Sequence, residues 1–279
     1  MPSLNVMTIQ PSPTPPCGHA SEGFRTDGYR LRCGRCRSFW DREFMESPYR
    51  YDASYPESRG HFDAPTGQLK VRSLQRWLQT IGIDPAGLSV CEVGFGAGHC
   101  LRYLADRAAL VVGIEQIPEN LAQARRLGVA NVLLFEQRSR LPKPVDLWLF
   151  LDSFEHLPDP VDFVAWMSRH SSIPACVLIV APEAGCLSER LLGKLWPHRL
   201  PDHSFHWSRR GLCELFGRHG FDLAQQFAPH KYLSGATVVS HLTHKFPHLE
   251  SLRATLAPLM QLTLSFNVGE MGLVFRRTG

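Results

Sequence analysis

The sequence predicts an α/β fold in which a parallel sheet carries helices on both faces. Three observations lead there. Apolar runs of strand length recur along the chain and alternate with segments of helical spacing. The first run, Leu88-Ser-Val-Cys-Glu-Val93, breaks into alternating glycines at Gly94, Gly96 and Gly98, then continues as Cys100-Leu-Arg-Tyr-Leu-Ala-Asp106, which reads as a helix. An acid, Glu92, lies just before the glycines, and a second, Glu115, ends the next strand. Glycines at a helix N-terminus let the backbone approach a ligand that a Cβ would keep away. An acid at the tip of the second strand is where such a fold grips ribose hydroxyls.

Composition narrows the classes. A chain of 279 residues buries one large core plus a small appendage. A net charge of +4 without any basic block argues against a nucleic-acid arm. No apolar run approaches the ~18 residues that a membrane-spanning helix needs. Residues 1–16, rich in Pro, Ser and Thr, read as a disordered leader and not a signal peptide. Eight cysteines, some of them grouped, fit a reducing cytoplasm with a few thiols on a metal.

Taken in order, residues 17–45 hold Cys17-Gly-His19 and Cys33-Gly-Arg-Cys36 around a candidate hairpin, Phe24 to Leu31. Two such knuckles aim three thiolates and an imidazole at one structural zinc ion, the logic of a zinc ribbon. Cysteines lying free in a leader are the plainer alternative. Residues 46–83 are read as an aromatic lid, with Tyr51 and Tyr55 one helical turn apart, and a linking helix from Gln68 to Ile81. The same aromatic rings also fit a packing role. From residue 84 the α/β units follow: strands Leu110–Ile114, Val132–Phe135, Val145–Leu151 and Ala175–Val180, with helices Pro118–Leu127 and Val161–His170 between them. Insertions around 183–207 and 229–267 are expected to cap a substrate pocket, with Lys245–His248 and Leu252–Phe266 as helices.

The glycines run G-x-G-x-G-H, which breaks the G-x-G-x-x-G of nicotinamide sites. With Glu92 two residues ahead they resemble motif I of the class I S-adenosylmethionine (SAM) methyltransferases, E/D-x-G-x-G-x-G. Asp152-Ser-Phe-Glu-His-Leu-Pro-Asp-Pro160, after the fourth strand, resembles the small-molecule branch that includes the ubiquinone-pathway O-methyltransferases. That resemblance covers roughly Gln68 to Phe227 and the terminal strand Glu270–Phe275. It implies a Rossmann-like seven-stranded sheet with a last antiparallel strand, often behind an N-terminal zinc ribbon. It also implies cofactor contacts from Glu92, Gly94, Phe95, Gly96 and Gly98. Further contacts are expected from Glu115, Gln116, Glu136, Gln137 and Asp152, with Glu136 and Gln137 near the adenine.

In the ubiquinone-pathway enzymes a similar E-x-x-E-H binds a divalent metal. Here Asp152, Glu155 and His156 hold those places, though Glu155-His156 also suits a helix cap. His203, in the loop after the fifth strand, is the leading general base, with His156 its competitor. The expected activity is methyl transfer to a hydroxyl of a small metabolite or natural product, away from membranes and nucleic acid. Carbon or nitrogen methylation, and a nucleic-acid-binding regulator with a vestigial SAM fold, are the alternatives.

Overall fold

The computed structural model describes residues 15–45, 64–203, 205–245, 255–267 and 269–279. Three short strands open the chain, β1 (Phe24–Asp27), β2 (Arg30–Cys33) and β3 (Phe39–Asp41), then the single turn α1 (Arg42–Met45). Tyr51 and Tyr55 of the expected lid lie outside the described residues. Helix α2 (Ala64–Ile81) buries Leu74, Trp77, Leu78 and Ile81, which share one face at helical spacing, and stops at Gly82, whose φ is +67°.

The main sheet is built from β4 (Ser89–Val93), β5 (Leu110–Glu115), β6 (Val132–Leu134), β7 (Val145–Leu151) and β8 (Ser171–Pro182), all parallel. Between them run α3 (His99–Ala105), α4 (Pro118–Arg126) and α5 (Pro160–Arg169). Both α4 and α5 begin on a proline, whose missing N–H costs nothing at a helix start. Asp159 caps α5 by accepting from the Asp162 N–H at 3.0 Å. After β8 come α6 (Leu187–Leu192), β9 (Phe205–His206), α7 (Arg209–Gly217) and β10 (Asp222–Phe227). The chain ends with β11 (Lys231–Ser234), α8 (Gly235–Lys245), α9 (Ala257–Met260), β12 (Thr263–Phe266) and β13 (Glu270–Arg277). The seven strands lie in the order β10-β13-β8-β7-β4-β5-β6, with β13 antiparallel to both neighbours. This is the mixed α/β sheet expected of the methyltransferase fold.

Alternation along β7 divides the core. Trp148 and Phe150 pack on one face with Phe163, Trp166 and Phe216, while Leu147 and Leu149 pack on the other with Leu74, Trp77 and Leu101. No helix among the described residues is long and apolar enough to cross a membrane.

Two features differ from the sequence reading. The sheet of residues 17–45 gains a strand that the sequence does not announce, β9, in which His206 pairs with Phe39 and Phe205 with Trp40. The long insertion after β8 therefore stitches the cysteine segment to the main domain. Second, Thr263–Phe266 is a strand paired with β11 and not part of a helix. Its Thr-Leu-Ser-Phe alternation has the period of two that a strand requires. Residues 246–254 lie outside the described residues.

Candidate functional site

The cleft forms where β4, β5 and β7 end side by side. Gly94 takes φ +70° and donates its N–H to the Ile114 carbonyl at 2.7 Å. A Cβ there would fall 2.4 Å from the Ser153 Cβ, and Ser153 in turn donates Oγ–H to the Val93 carbonyl at 2.6 Å. Gly98 takes φ +82°, and its missing Cβ would lie 2.9 Å from that of Ala124. No larger residue fits at either position.

Glu115 is aimed by its own backbone. Its Oε2 accepts from the Gly96 N–H at 2.8 Å, and Oε1 accepts from Gln116 and Ile117 at 2.7 and 3.2 Å. Burial pushes its carboxyl up while those bonds pull it back. Glu92 has less support. Its Oε2 is buried with no hydrogen-bond partner, and burial pushes its pKa up to about 8 against the opposing pull of Lys70. A buried carboxyl oxygen without a partner is costly, and Glu92 keeps one at the foot of the glycine turn.

Gly94, Gly96, Glu115, Gln116 and Asp152 line one lobe of the cleft, with Ile117, Asn120 and Phe135. A second lobe of about 310 Å³ lies between Glu92, Phe95, Gly98 and the side chains of Trp77, His203 and Lys231. Glu136 and Gln137 line neither lobe. Glu136 is exposed, and the Gln137 carboxamide accepts from the Leu134 N–H at 3.4 Å. Phe135, the first residue past β6, faces the cleft instead.

Asp152, straight after β7, has φ +56°, a conformation that is strained for a residue with a side chain. The Lys231 ammonium holds it, at 2.6 Å from Oδ2, and also pairs with Glu270. Lys231 reaches this place because β11 rests on α2. There the Tyr232 N–H donates to Ser73 Oγ at 2.9 Å and Trp77 Nε1–H donates to the His230 carbonyl at 3.0 Å. Burial pushes Glu270 up to about 7, with Lys231 opposing.

Glu155, His156 and His203 converge, with one possible ligand atom from each lying within 4.8 Å of the others. Asp152 is absent from this group, and His203 stands in its place. His156 Nδ1–H donates to the Asp202 carbonyl at 3.0 Å and His203 Nδ1–H to the His198 carbonyl at 2.9 Å. A carbonyl can only accept, so each neutral ring keeps the lone pair on Nε2. Burial pushes His156 down to about 4 and lowers His203 as well. Both oxygens of Glu155 are buried without a hydrogen-bond partner.

Cys17, His19, Cys33 and Cys36 form a second group, all buried, with their ligand atoms also within 4.8 Å. A hydrogen bond from Cys17 pulls the Cys36 thiol down to about 5. His19 turns Nδ1 to Cys33 Sγ at 3.3 Å, and its Nε2 faces both the Glu214 carboxylate on α7 at 2.8 Å and the Arg218 guanidinium at 2.7 Å. A carboxylate behind a ligating imidazole is the usual orienting partner at a metal.

Sheet order, glycine turn and paired strand-end acids define the class, an enzyme domain of the class I methyltransferase fold. The comparisons agree. A family model described as a methyltransferase domain matches residues 66–226, more than half of the chain, and the chain belongs to that family. An uncharacterized methyltransferase of Geobacillus thermodenitrificans is 31% identical over 122 residues, which cover 42% of this chain and 56% of that protein. The chain thus spans about half the length of that relative. One from Geobacillus kaustophilus is 28% identical over 204 residues, covering 67% and 94%. The crystal structure of a candidate methyltransferase from Bacillus halodurans shares the fold at 19% identity and a TM-score of 0.53, covering 73% of this chain and 97% of that one.

Lys231 carries no motif and its role is visible only in three dimensions. Replacing it in Lys231→Met leaves Glu270 buried beside Asp152 with His198, 3.5 Å away, as its remaining basic neighbour. Glu270 already has a raised pKa, so its burial is tolerated while protonated and penalised once the pH rises through the folded value. Urea unfolding is expected to show a loss of about 3–5 kcal/mol at pH 8 that shrinks towards pH 5. An equal loss at both values would contradict the charge account.

Proposed function

We propose that the protein transfers a methyl group from SAM to a hydroxyl of a small organic acceptor. The observation that carries this reading is the orphaned Glu92 oxygen beside a glycine turn, one strand from the backbone-aimed Glu115. When bound, SAM supplies an electrophilic methyl on a sulfonium. Glu92 would meet its ammonium group, Glu115 its ribose hydroxyls, and Gly94, Gly96 and Gly98 would admit the rest to the backbone. Gln116 and Asp152 border the same lobe. Phe135 bounds the adenine end more closely than Glu136 or Gln137.

The acceptor would enter the second lobe, between Trp77, Phe95, Leu200 and Tyr232. Those apolar walls favour an organic molecule over a polyanion, and the D-x-x-E-H run favours oxygen as the methylated atom. The chain then has two tasks, alignment and removal of one proton. His203 Nε2 would take the hydroxyl proton, since burial keeps the ring neutral near pH 7 and His198 fixes its tautomer. Carbon or nitrogen acceptors would need the same alignment with a different proton path.

A second reading rests on Glu155. Its two unpartnered oxygens, with two imidazoles whose Nδ1 atoms are already anchored, suit a divalent cation that would bind the acceptor oxygen. In the cysteine group we propose one structural zinc, because three thiols and an imidazole complete a tetrahedral shell and leave no open position. A reducing cytoplasm suits those free thiols.

Three outcomes test these readings. Because Glu92 is protonated below about pH 8 in the free protein, the proton competes with the ammonium of SAM. Calorimetry should show affinity rising by up to about tenfold per pH unit between about pH 6 and 7.5, and Glu92→Gln should abolish the trend. A flat native profile would remove Glu92 from the site. His203→Ala should lower kcat about a hundred- to ten-thousandfold with SAM affinity kept within a few fold. If chelator abolishes turnover and Glu155→Gln is equally damaging, the cation reading prevails. Elemental analysis of freshly purified protein should find one zinc, absent in Cys33→Ser/Cys36→Ser, and a zinc-free native protein would refute the structural site.

A further inference from the structure

A separate cavity of about 450 Å³ opens where the cysteine segment meets the main domain. Its walls come from β2, the turn at Cys36, the chain leaving β8, α6 and the start of α7. It lies at the carboxyl edge of the sheet, yet it shares no lining residue with either lobe of the cleft.

Six arginines line it, Arg30, Arg32, Arg37, Arg190, Arg209 and Arg210, against three carboxylates. The carboxylates are committed. The fully buried Glu189 holds Arg30 and Arg32, and Glu183 holds Arg209 at 3.0 Å. Asp27 pairs with Arg30 and Arg32 as well, at 3.2 and 3.5 Å. Arg37 and Arg190 have no carboxylate partner among the described residues. The N-terminus of α7, capped by Ser208, points further positive potential at the same space.

Arg37 itself is the second observation. It stands directly after the Cys33-x-x-Cys36 knuckle with φ +72°, where glycine would be free of strain. Among the described residues only Asp152 shares that property, and Asp152 lines the cofactor cleft. Strain of this kind is retained where a side chain has work to do.

We propose that this cavity binds the phosphoryl group of a small anionic ligand, with Arg37 and Arg190 as the forks that grip it. Arg210 is held by Glu214 at 2.8 Å, which leaves Arg37 and Arg190, among the described residues, as the guanidinium forks free to match phosphate oxygens. Five elements meet around the cavity, and Arg37 and Arg190 stand exposed at its mouth. The site joins the cysteine segment to the main domain, so an occupant would bridge the two.

The test is calorimetry on the full chain at low ionic strength, with pyrophosphate, inorganic phosphate and a single-stranded oligonucleotide as probes. Pyrophosphate is expected to bind at a single site, more tightly than phosphate. The variant Arg37→Gln/Arg190→Gln should weaken it by about tenfold or more, with SAM binding unchanged. Arg37→Gly separates ligand binding from folding: it should weaken pyrophosphate binding while raising the thermal midpoint, because the turn is relieved. Three results would overturn the proposal: no pyrophosphate binding at millimolar concentration, equal binding by the variants, or binding of the oligonucleotide alone. A midpoint that falls in Arg37→Gly would assign Arg37 to the fold and overturn it too.

Discussion

The contact between Gly94 and Ser153 sets the geometry on which the cleft depends. With no Cβ at Gly94, the turn after β4 lies against the start of the segment after β7, and Ser153 locks it by donating to Val93. That closeness puts Glu92, Glu115 and Asp152 at the ends of three adjacent strands. A parallel sheet offers its strand ends on one edge, so the acids meet there without any long-range device.

The electrostatics of that edge follow from the same packing. Glu92, Glu115, Asp152, Glu155 and Glu270 gather at the cleft, and the half-buried Lys231 is the cation that pairs with Asp152 and Glu270. Desolvation raises Glu92, Glu155 and Glu270, and partner-free oxygens remain on all three. A cationic ligand relieves such a site and an anionic one aggravates it. The arginine cavity has the opposite sign, so one sheet edge holds an acidic cleft and, beside the cysteine segment, a basic one.

Much of this was legible in the sequence. The apolar runs mark β4 to β7 within a residue or two, because a strand buried on both faces leaves a continuous apolar signature, while β8 begins four residues before the expected Ala175. Glu92 and Glu115 were legible through their distance from the glycines. Lys231 was not, since it meets Asp152 across 79 residues of chain and only after β11 docks on α2. The same holds for β9, two residues long, whose pairing with β3 no local pattern announces. The sequence expects Glu136 and Gln137 near the adenine, whereas the turn after β6 brings Phe135 to the cleft and leaves Glu136 in solvent. At Asp152, Glu155 and His156 the spacing suggested one group, and the fold divides it: Lys231 takes Asp152, while His203 joins the other two.

The central claim is that the strand-end acids hold SAM. Calorimetric titration of SAM into the native protein and into Glu115→Ala tests it most directly. The account predicts single-site binding to the native chain, no binding of NAD, and a loss of about ten- to a hundredfold in the variant, as expected for charged hydrogen bonds to two hydroxyls. Unchanged SAM affinity in Glu115→Ala would contradict it.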